Sequence, residues 1–417
     1  MIENFEINSK DINKIKKITN SEKKFRIKNL ELFKNIGFPN KKIEDWKFSD
    51  FKNIIDKNFE GLDYNNVSHD IKKINLLKDF DHNYIFLVNG NLHSNNFQHE
   101  DKSKIKIKSY DKSIDNQINN NPLIYLNNAL ADSGYFLEIE KNYKFKKVLI
   151  VYNFFTKNLK NKVLNNKNKI KINKNSELHI VEYTINESKH KFINNSYENI
   201  ILEENSKFKS IYLQKDKSNG FFHKFIKNKI SINSDYTNLI FSSGLKFNKL
   251  DIECDLVGEK AKCNILSGLF LNNDEHQEIK TRINHLYPNC KSYQKIKNVL
   301  NSKSKGIFQG KIFVKDIAQK TDAYQLGKAL LLNDDAEFNS KPELEIYADD
   351  VKCSHGSASG SIDEDSIYYL MTRGLDRKDS SKLLVKGFLN DIIEFIKSPS
   401  IKKFVETKLE KQINYEY

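Results

Sequence analysis

Cys353 and His355 are the residues of this chain whose types and spacing point most directly to chemistry. They lie in Asp349-Asp350-Val351-Lys352-Cys353-Ser354-His355-Gly356-Ser357-Ala358, between a strand-like run (Leu344 to Tyr347) and an acidic segment suited to opening a helix. Residues two apart in a strand share a face, so a thiol and an imidazole would stand together as soft and borderline metal ligands. Two ligands leave a coordination sphere unfilled, and a second surface must supply the rest. The bland alternative is a Cys and a His packed quietly at the end of a strand. Ser354 beside His355 is no catalytic pair, because neighbours in a strand face opposite ways. Asp349-Asp350 reads as a solvated turn rather than as paired catalytic carboxylates.

Other catalytic signatures are missing from the sequence. There is no G-x-x-x-x-G-K-[ST] phosphate loop, no dinucleotide fingerprint, no H-E-x-x-H and no G-x-S-x-G elbow. The other cysteines, Cys254, Cys263 and Cys290, form no C-x-x-C pair with each other or with Cys353. This chain therefore encodes no zinc knuckle or complete iron–sulfur ligand set of its own. Scattered thiols of this kind fit a reducing compartment, and the three are read as small buried hydrophobes.

A formal net charge of +14 invites a nucleic-acid or anionic-membrane partner. The basic residues are interleaved with acids, however, as in Glu203-Glu204-Asn205-Ser206-Lys207, so no nucleic-acid or membrane partner is expected. The first residues, Met1 to Glu6, lack a basic stretch followed by an apolar core, and no apolar run approaches the ~20 residues of a membrane span. The expectation is a cytoplasmic protein.

The elements around these residues follow in chain order. Ser21 to Phe33 reads as an amphipathic helix with capping chemistry at Asn20-Ser21, and Ile36-Gly37-Phe38-Pro39 breaks it. The sole Trp, Trp46, is expected to anchor its segment onto the body. Tyr84 to Val88 is a strand stopped by the turn pair Asn89-Gly90, and a helical piece covers 123–132. Strand signals then dominate to about residue 350.

Within them a small–polar–apolar triplet recurs: Ser176-Glu177-Leu178, Ser206-Lys207-Phe208, Ser234-Asp235-Tyr236, Ala261-Lys262-Cys263 and, more weakly, Cys290-Lys291-Ser292. The steps are 30, 28, 27 and 29 residues, and Ala336-Glu337-Phe338 restores the pattern later. Short strands at such a period predict stacked β coils; the alternative is an antiparallel sandwich with regular hairpins. Helices close the chain. Ser361-Ile362-Asp363-Glu364 reads as a capping box, Gly374 as a stop, Asp379 to Ile396 as a second helix and Ser398-Pro399 as the start of a third. Part of their apolar surface is expected to cover the solenoid end and part to accept a partner protein.

Several stretches together resemble the SufB/SufD family of iron–sulfur cluster assembly proteins. They are Glu44-Asp45-Trp46-Lys47-Phe48, Leu126-Asn127-Asn128-Ala129, Phe308-Gln309-Gly310, Ala318-Gln319-Lys320-Thr321-Asp322-Ala323-Tyr324-Gln325, Asp350 to Gly356, Asp363-Glu364 and Tyr369-Leu370-Met371-Thr372-Arg373-Gly374. The resemblance covers essentially the whole chain. It leans to the SufD branch, because SufB-like chains carry E-H-E-A where this one has Ser354-His355-Gly356-Ser357. They also place a cysteine within the stretch matching Thr321 to Leu332, where this chain has none.

The resemblance implies a mainly β fold, a right-handed parallel β-helix (81–360, with the short helix near 123–132) between an N-terminal (1–80) and a C-terminal (361–417) helical region. It implies a non-catalytic subunit that pairs with a SufB-like scaffold and binds a SufC-like ABC ATPase through Tyr369, Arg373, Leu384 and Phe388. It places His355, with Cys353 as a lesser candidate, at the site of a transient iron–sulfur cluster or iron shared with the SufB-like chain. Use of reduced flavin by such a complex stays open. Two other readings are a SufC-binding spacer without metal contact and a solenoid enzyme of the polysaccharide-lyase type. The latter needs charged residues at one phase of the repeat, where this chain has Ser, Ala and apolar residues.

Overall fold

The computed structural model describes residues 9–13, 15, 18–65, 67, 71, 75–110, 120–215 and 217–416, so the reading of Met1 to Glu6 lies outside it. Strands run from β1 (Asn83–Val88) and β2 (Asn91–Asn96) through β3 (Ile105–Ser109), β4 (Tyr135–Ile139) and β5 (Leu149–Phe155) to β18 (Glu337–Ile346) and β19 (Val351–Ser361). From β4 and β5 onward the chain alternates between two sheets, each strand pairing in parallel with the strand two places on. From there on the odd-numbered strands, with β1 and β2, build a ten-stranded sheet, and the even-numbered strands, with β3, a nine-stranded one. This is a parallel β-solenoid flanked by helices, as expected. Its first coil is closed by antiparallel pairs, β1 with β2 and β3 with β4. Asn89 and Gly90 both take positive φ in the β1–β2 turn, the geometry that an Asn-Gly pair favours.

The repeat marks one corner of the coil. Asn175, Asn205, Asn233, Lys260, Asn289 and Lys320 adopt left-handed φ directly before Ser176, Ser206, Ser234, Ala261, Cys290 and Thr321. Each left-handed residue donates its amide to a carbonyl of the next coil, as from Asn175 to Glu204 and from Asn205 to Ile232, both at 3.0 Å. Asn side chains extend the ladder, Asn205 Nδ2 reaching Asn175 Oδ1 at 3.1 Å. The following residue is small because it is wholly buried against its counterpart one coil away. Ala336 belongs elsewhere: Glu337 pairs with Lys305, and Lys305 with His276, which places it on the opposite corner, while Thr321 continues the repeat.

The interior is filled by alternate residues of both sheets, with Cys254, Cys263 and Cys290 fully buried among them. The outer faces are covered by helices. Helix α1 (Ser9–Asn13), α2 (Asn20–Ile36), α3 (Phe51–Asn58) and α4 (Pro122–Leu130) pack on the nine-stranded sheet through Leu30, Phe51, Leu126 and Phe247. Trp46 is buried in this layer, its ring 4.8 Å from the Lys249 ammonium, so it anchors its segment as expected. Thr19, not Asn20 or Ser21, caps α2, in a reciprocal box with Glu22.

Helices α5 (Glu364–Thr372), α6 (Arg377–Ile393) and α7 (Pro399–Glu416) end the chain. Asp363 caps α5, accepting from Asp365 and Ser366; Ser361 is still in β19, so the expected box does not form. Helix α6 begins at Arg377 behind the cap Asp376, two residues earlier than expected. Helices α6 and α7 do not cover the solenoid end. Ile392, Phe404, Val405 and Leu409 lie on the outer face of the ten-stranded sheet, against Tyr152, Val181, Leu239 and Leu266. That face is apolar along its length and draws the helices sideways, leaving the last coil uncovered. No helix of the described residues is long and apolar enough to cross a membrane.

Candidate functional site

Cys353 and His355 sit on β19, the outermost strand of the ten-stranded sheet. Strand β19 pairs only with β17 (Thr321–Leu331), and β18 only with β16 (Lys305–Val314), so both sheets end side by side in an unpaired edge. Cys353 aligns with Ala323 and His355 with Gln325. Side chains alternate along a strand, so both candidates stand on the interior-facing side of the last rung.

The two differ in exposure. Cys353 is half-buried against Ile312, Val314, Ala323 and Ala348. Burial, helped by the nearby Asp322 carboxylate, pushes its thiol up, which disfavours the thiolate a metal needs. His355 is exposed and has no hydrogen-bond or ion-pair partner among the described residues. Nor is any group of three or more His, Cys, Asp or Glu side chains among them placed to hold a metal. The chain presents an available imidazole at an open end and brings no complete ligand set to it.

Below His355 the rung is shaped by residues whose roles the spacing alone did not reveal. Gln325 is completely buried and crosses between the sheets, its Nε2 donating to the Glu343 carbonyl of β18 at 3.1 Å. Gly310 faces it from β16; a Cβ there would lie 2.2 Å from Gln325 Oε1. Gly327 similarly leaves room for Phe308 and Ser340. The alternation Gly306-x-Phe308-x-Gly310 was the signal, since it sets every small residue on the interior face of one strand.

The expected partner-binding residues separate into two pairs. Tyr369 lies on α5 and Arg373 is its C-cap, both exposed, with the guanidinium 5.2 Å over the Tyr369 ring. Leu384 and Phe388 on α6 are half-buried, and Phe388 packs toward the sheet with Lys297 4.6 Å above its ring. Helix α5 buries only Ile367 and exposes Tyr368 (71%), Tyr369 (57%) and Met371 (42%). It follows the open strand β19 directly.

Inside the solenoid, far from that end, lies a charged constellation that was not anticipated. Lys224 Nζ is 2.6 and 2.7 Å from the two oxygens of Glu182 and 3.2 Å from Glu198 Oε2. Lys224 and Glu182 border a cavity of about 30 Å³ that Asn166, Asn194 and Ser196 help to line, room for one or two waters. Burial pushes Glu198 up to about 7 against the pull of Lys224, while Glu182 and Glu198 hold Lys224 above its ordinary value despite burial. The signal was present: Glu182 follows Leu178 and Ile180, and Lys224 lies between Phe222 and Ile226, each at an inward phase.

Known proteins are similar to this chain in sequence. The family described as "SUF system FeS cluster assembly, SufBD core domain" matches residues 154–388, more than half of the chain. The iron–sulfur cluster assembly protein SufD of Escherichia coli is 23% identical over 384 residues, covering 89% of each chain. A chloroplastic Arabidopsis thaliana protein, ABCI7, is 29% identical over 225 residues, 54% of this chain and 47% of its own length. A SufBD family protein of Synechocystis is 30% identical over 210 residues, covering 50% of this chain and 46% of the relative.

Proposed function

Because the chain belongs to the SufBD family of iron–sulfur cluster assembly proteins, we propose that it acts as a SufD-like, non-catalytic scaffold subunit whose open solenoid end pairs with a SufB-like chain. The observation that carries this reading is the double open edge: β18 and β19, 10 and 11 residues long, are both unpaired on their outer sides and uncovered by any described helix. Such edges are templates for strand addition, and a soluble chain that leaves two of them bare is matched to a partner that covers them. From His355 to Ser361 β19 carries only small residues beyond the imidazole, so another backbone can approach closely.

His355 then lies in the seam. A partner strand bringing a thiolate or carboxylate would complete the set that this chain only begins, with the nascent cluster or iron as cargo rather than as a resident cofactor. Cys353 is the weaker ligand, because burial keeps its thiol protonated. Helix α5, which continues from the seam and exposes Tyr368, Tyr369 and Met371, is the surface for a SufC-like ATPase. Nucleotide-driven movement of α5 would be felt at β19 through the two residues that separate them.

The test is co-expression of this chain with SufB-like and SufC-like proteins, followed by purification through a tag on this chain. A stable complex containing both supports the reading. Charged substitutions at interior-facing positions of the open β19, such as Ser357→Lys with Ser359→Lys, should release the SufB-like chain while SufC-like binding persists. Retention of the SufB-like chain by that variant would overturn the edge assignment.

A further inference from the structure

We propose that Gln325 is a positioning residue for His355: its side-chain carbonyl takes the imidazole N–H, directly or through one water, and so fixes which ring nitrogen faces the partner. The inference rests on the reading of His355 as the seam ligand, and its own evidence is geometric. Gln325 and His355 are paired in register on adjacent parallel strands, one rung, or about 4.8 Å, apart. Both stand on the interior side, and His355 has no partner among the described residues.

Gln325 is 0% exposed, and its Nε2 is committed to the Glu343 carbonyl. Its Oε1 is buried without a hydrogen-bond partner. The amide cannot simply be reversed to relieve this, since Nε2 already meets a carbonyl and exchanging the two atoms would set oxygen against oxygen. Gly310 leaves the space that Oε1 occupies. A buried carbonyl held open by a glycine, one rung beneath an unpartnered imidazole, is an acceptor waiting for a donor.

The column continues inward. Gln294 lies in register with Gln325, and its own Oε1 accepts from Thr281 while its Nε2 is unpaired. A carbonyl oxygen has two lone pairs, so Gln325 Oε1 can take Gln294 Nε2–H from below and His355 N–H from above. A histidine that ligates through one nitrogen is commonly fixed by a hydrogen bond from the other, and this column supplies that bond from a rigid core.

The experiment uses the full-length chain with 15N-labelled histidine at pH 8 and no cluster present. The His355 signals are identified by their loss in a His355→Gln variant. Two well-separated ring-nitrogen shifts, those of a single neutral tautomer, are expected in the unaltered chain. Averaged shifts are expected in Gln325→Met, which keeps volume and removes the acceptor. Averaged shifts in the unaltered chain, or an unchanged tautomer in folded Gln325→Met, would overturn the proposal. Because no cluster is involved, that outcome is separable from a failure of His355 to serve as a ligand: the tautomer can be fixed while reconstitution is indifferent to His355, and the reverse.

Discussion

Gly310 and Gln325 face each other across the interior of the last complete coil so closely that a methyl group on Gly310 would stand 2.2 Å from the Gln325 carbonyl oxygen and 2.7 Å from the Phe308 ring. The rung beneath His355 is therefore built on a backbone position where any side chain forces Gln325 and Phe308 to shift. Gly310→Ala should destabilise the chain by about 1–3 kcal/mol, read as a lower urea midpoint with unchanged slope. An unchanged midpoint would mean that the rung repacks freely and does not support His355 as described.

The Lys249 ammonium lies over the Trp46 ring, contacts Glu278, and is 3.4 Å from Asp251 Oδ1 and 3.0 Å from the Asp45 carbonyl. It joins the Trp46 segment to the nine-stranded sheet, beside the ion pairs of Lys280 with Asp45 and of Lys341 with Glu44. Lys249→Met leaves two buried carboxylates without this cation and should cost about 3–5 kcal/mol. As Trp46 is the only tryptophan, its fluorescence reports the loss directly. A variant that melts with the unaltered protein and keeps its emission would show that the pair is dispensable.

Glu198 gives a pH dependence of unusual sign for a carboxylate. Burial raises it to about 7 in the folded chain, above its ordinary unfolded value. Its contribution is thus fully present below that unfolded value and lost as pH rises through about 7. Relative to Glu198→Gln, the unaltered chain should lose about 1–3 kcal/mol between pH 5 and pH 8.5. Parallel stability curves for the two proteins over that window would refute the assignment.

Helix α5 can be tested without disturbing the core. Removing everything after Asp363 would also strip α6 and α7 from the ten-stranded sheet, so point changes are cleaner. Tyr368→Ser with Tyr369→Ser alters two exposed side chains and should change stability by less than about 1 kcal/mol. Affinity for a SufC-like ATPase should fall at least about tenfold, measured by titration calorimetry. Undiminished affinity would move the ATPase surface elsewhere.

The solenoid was legible because its corner imposes a local demand. A left-handed residue must precede a buried small one, and Asn-Ser at 175, 205 and 233 announces that demand in the chain itself. Trp46 and Asn89-Gly90 were legible for the same reason. The end of the solenoid was less so. Ala336 carries the same small–polar–apolar pattern as Ser234 but turns the opposite corner, where Ser304 one coil earlier is small too while Glu275 before it is not. Helix caps slipped by one or two positions where several acceptors compete, as Ser361 and Asp363 do before α5. His355 could be seen as half of a site from its type and neighbour. Gln325 could not be seen beneath it, since their pairing in register, 30 residues apart in sequence, is set only by the fold.

The central claim is that His355 contributes to cluster assembly in the seam between this chain and a SufB-like partner. It is tested most directly by anaerobic reconstitution of the purified three-protein complex, followed by visible absorbance, with His355→Ala against the unaltered chain. The account predicts that the variant complex assembles with the same stoichiometry and forms cluster at least about tenfold more slowly, the loss expected when a ligand or its support is removed. An intact variant complex that forms cluster at the unaltered rate would contradict it.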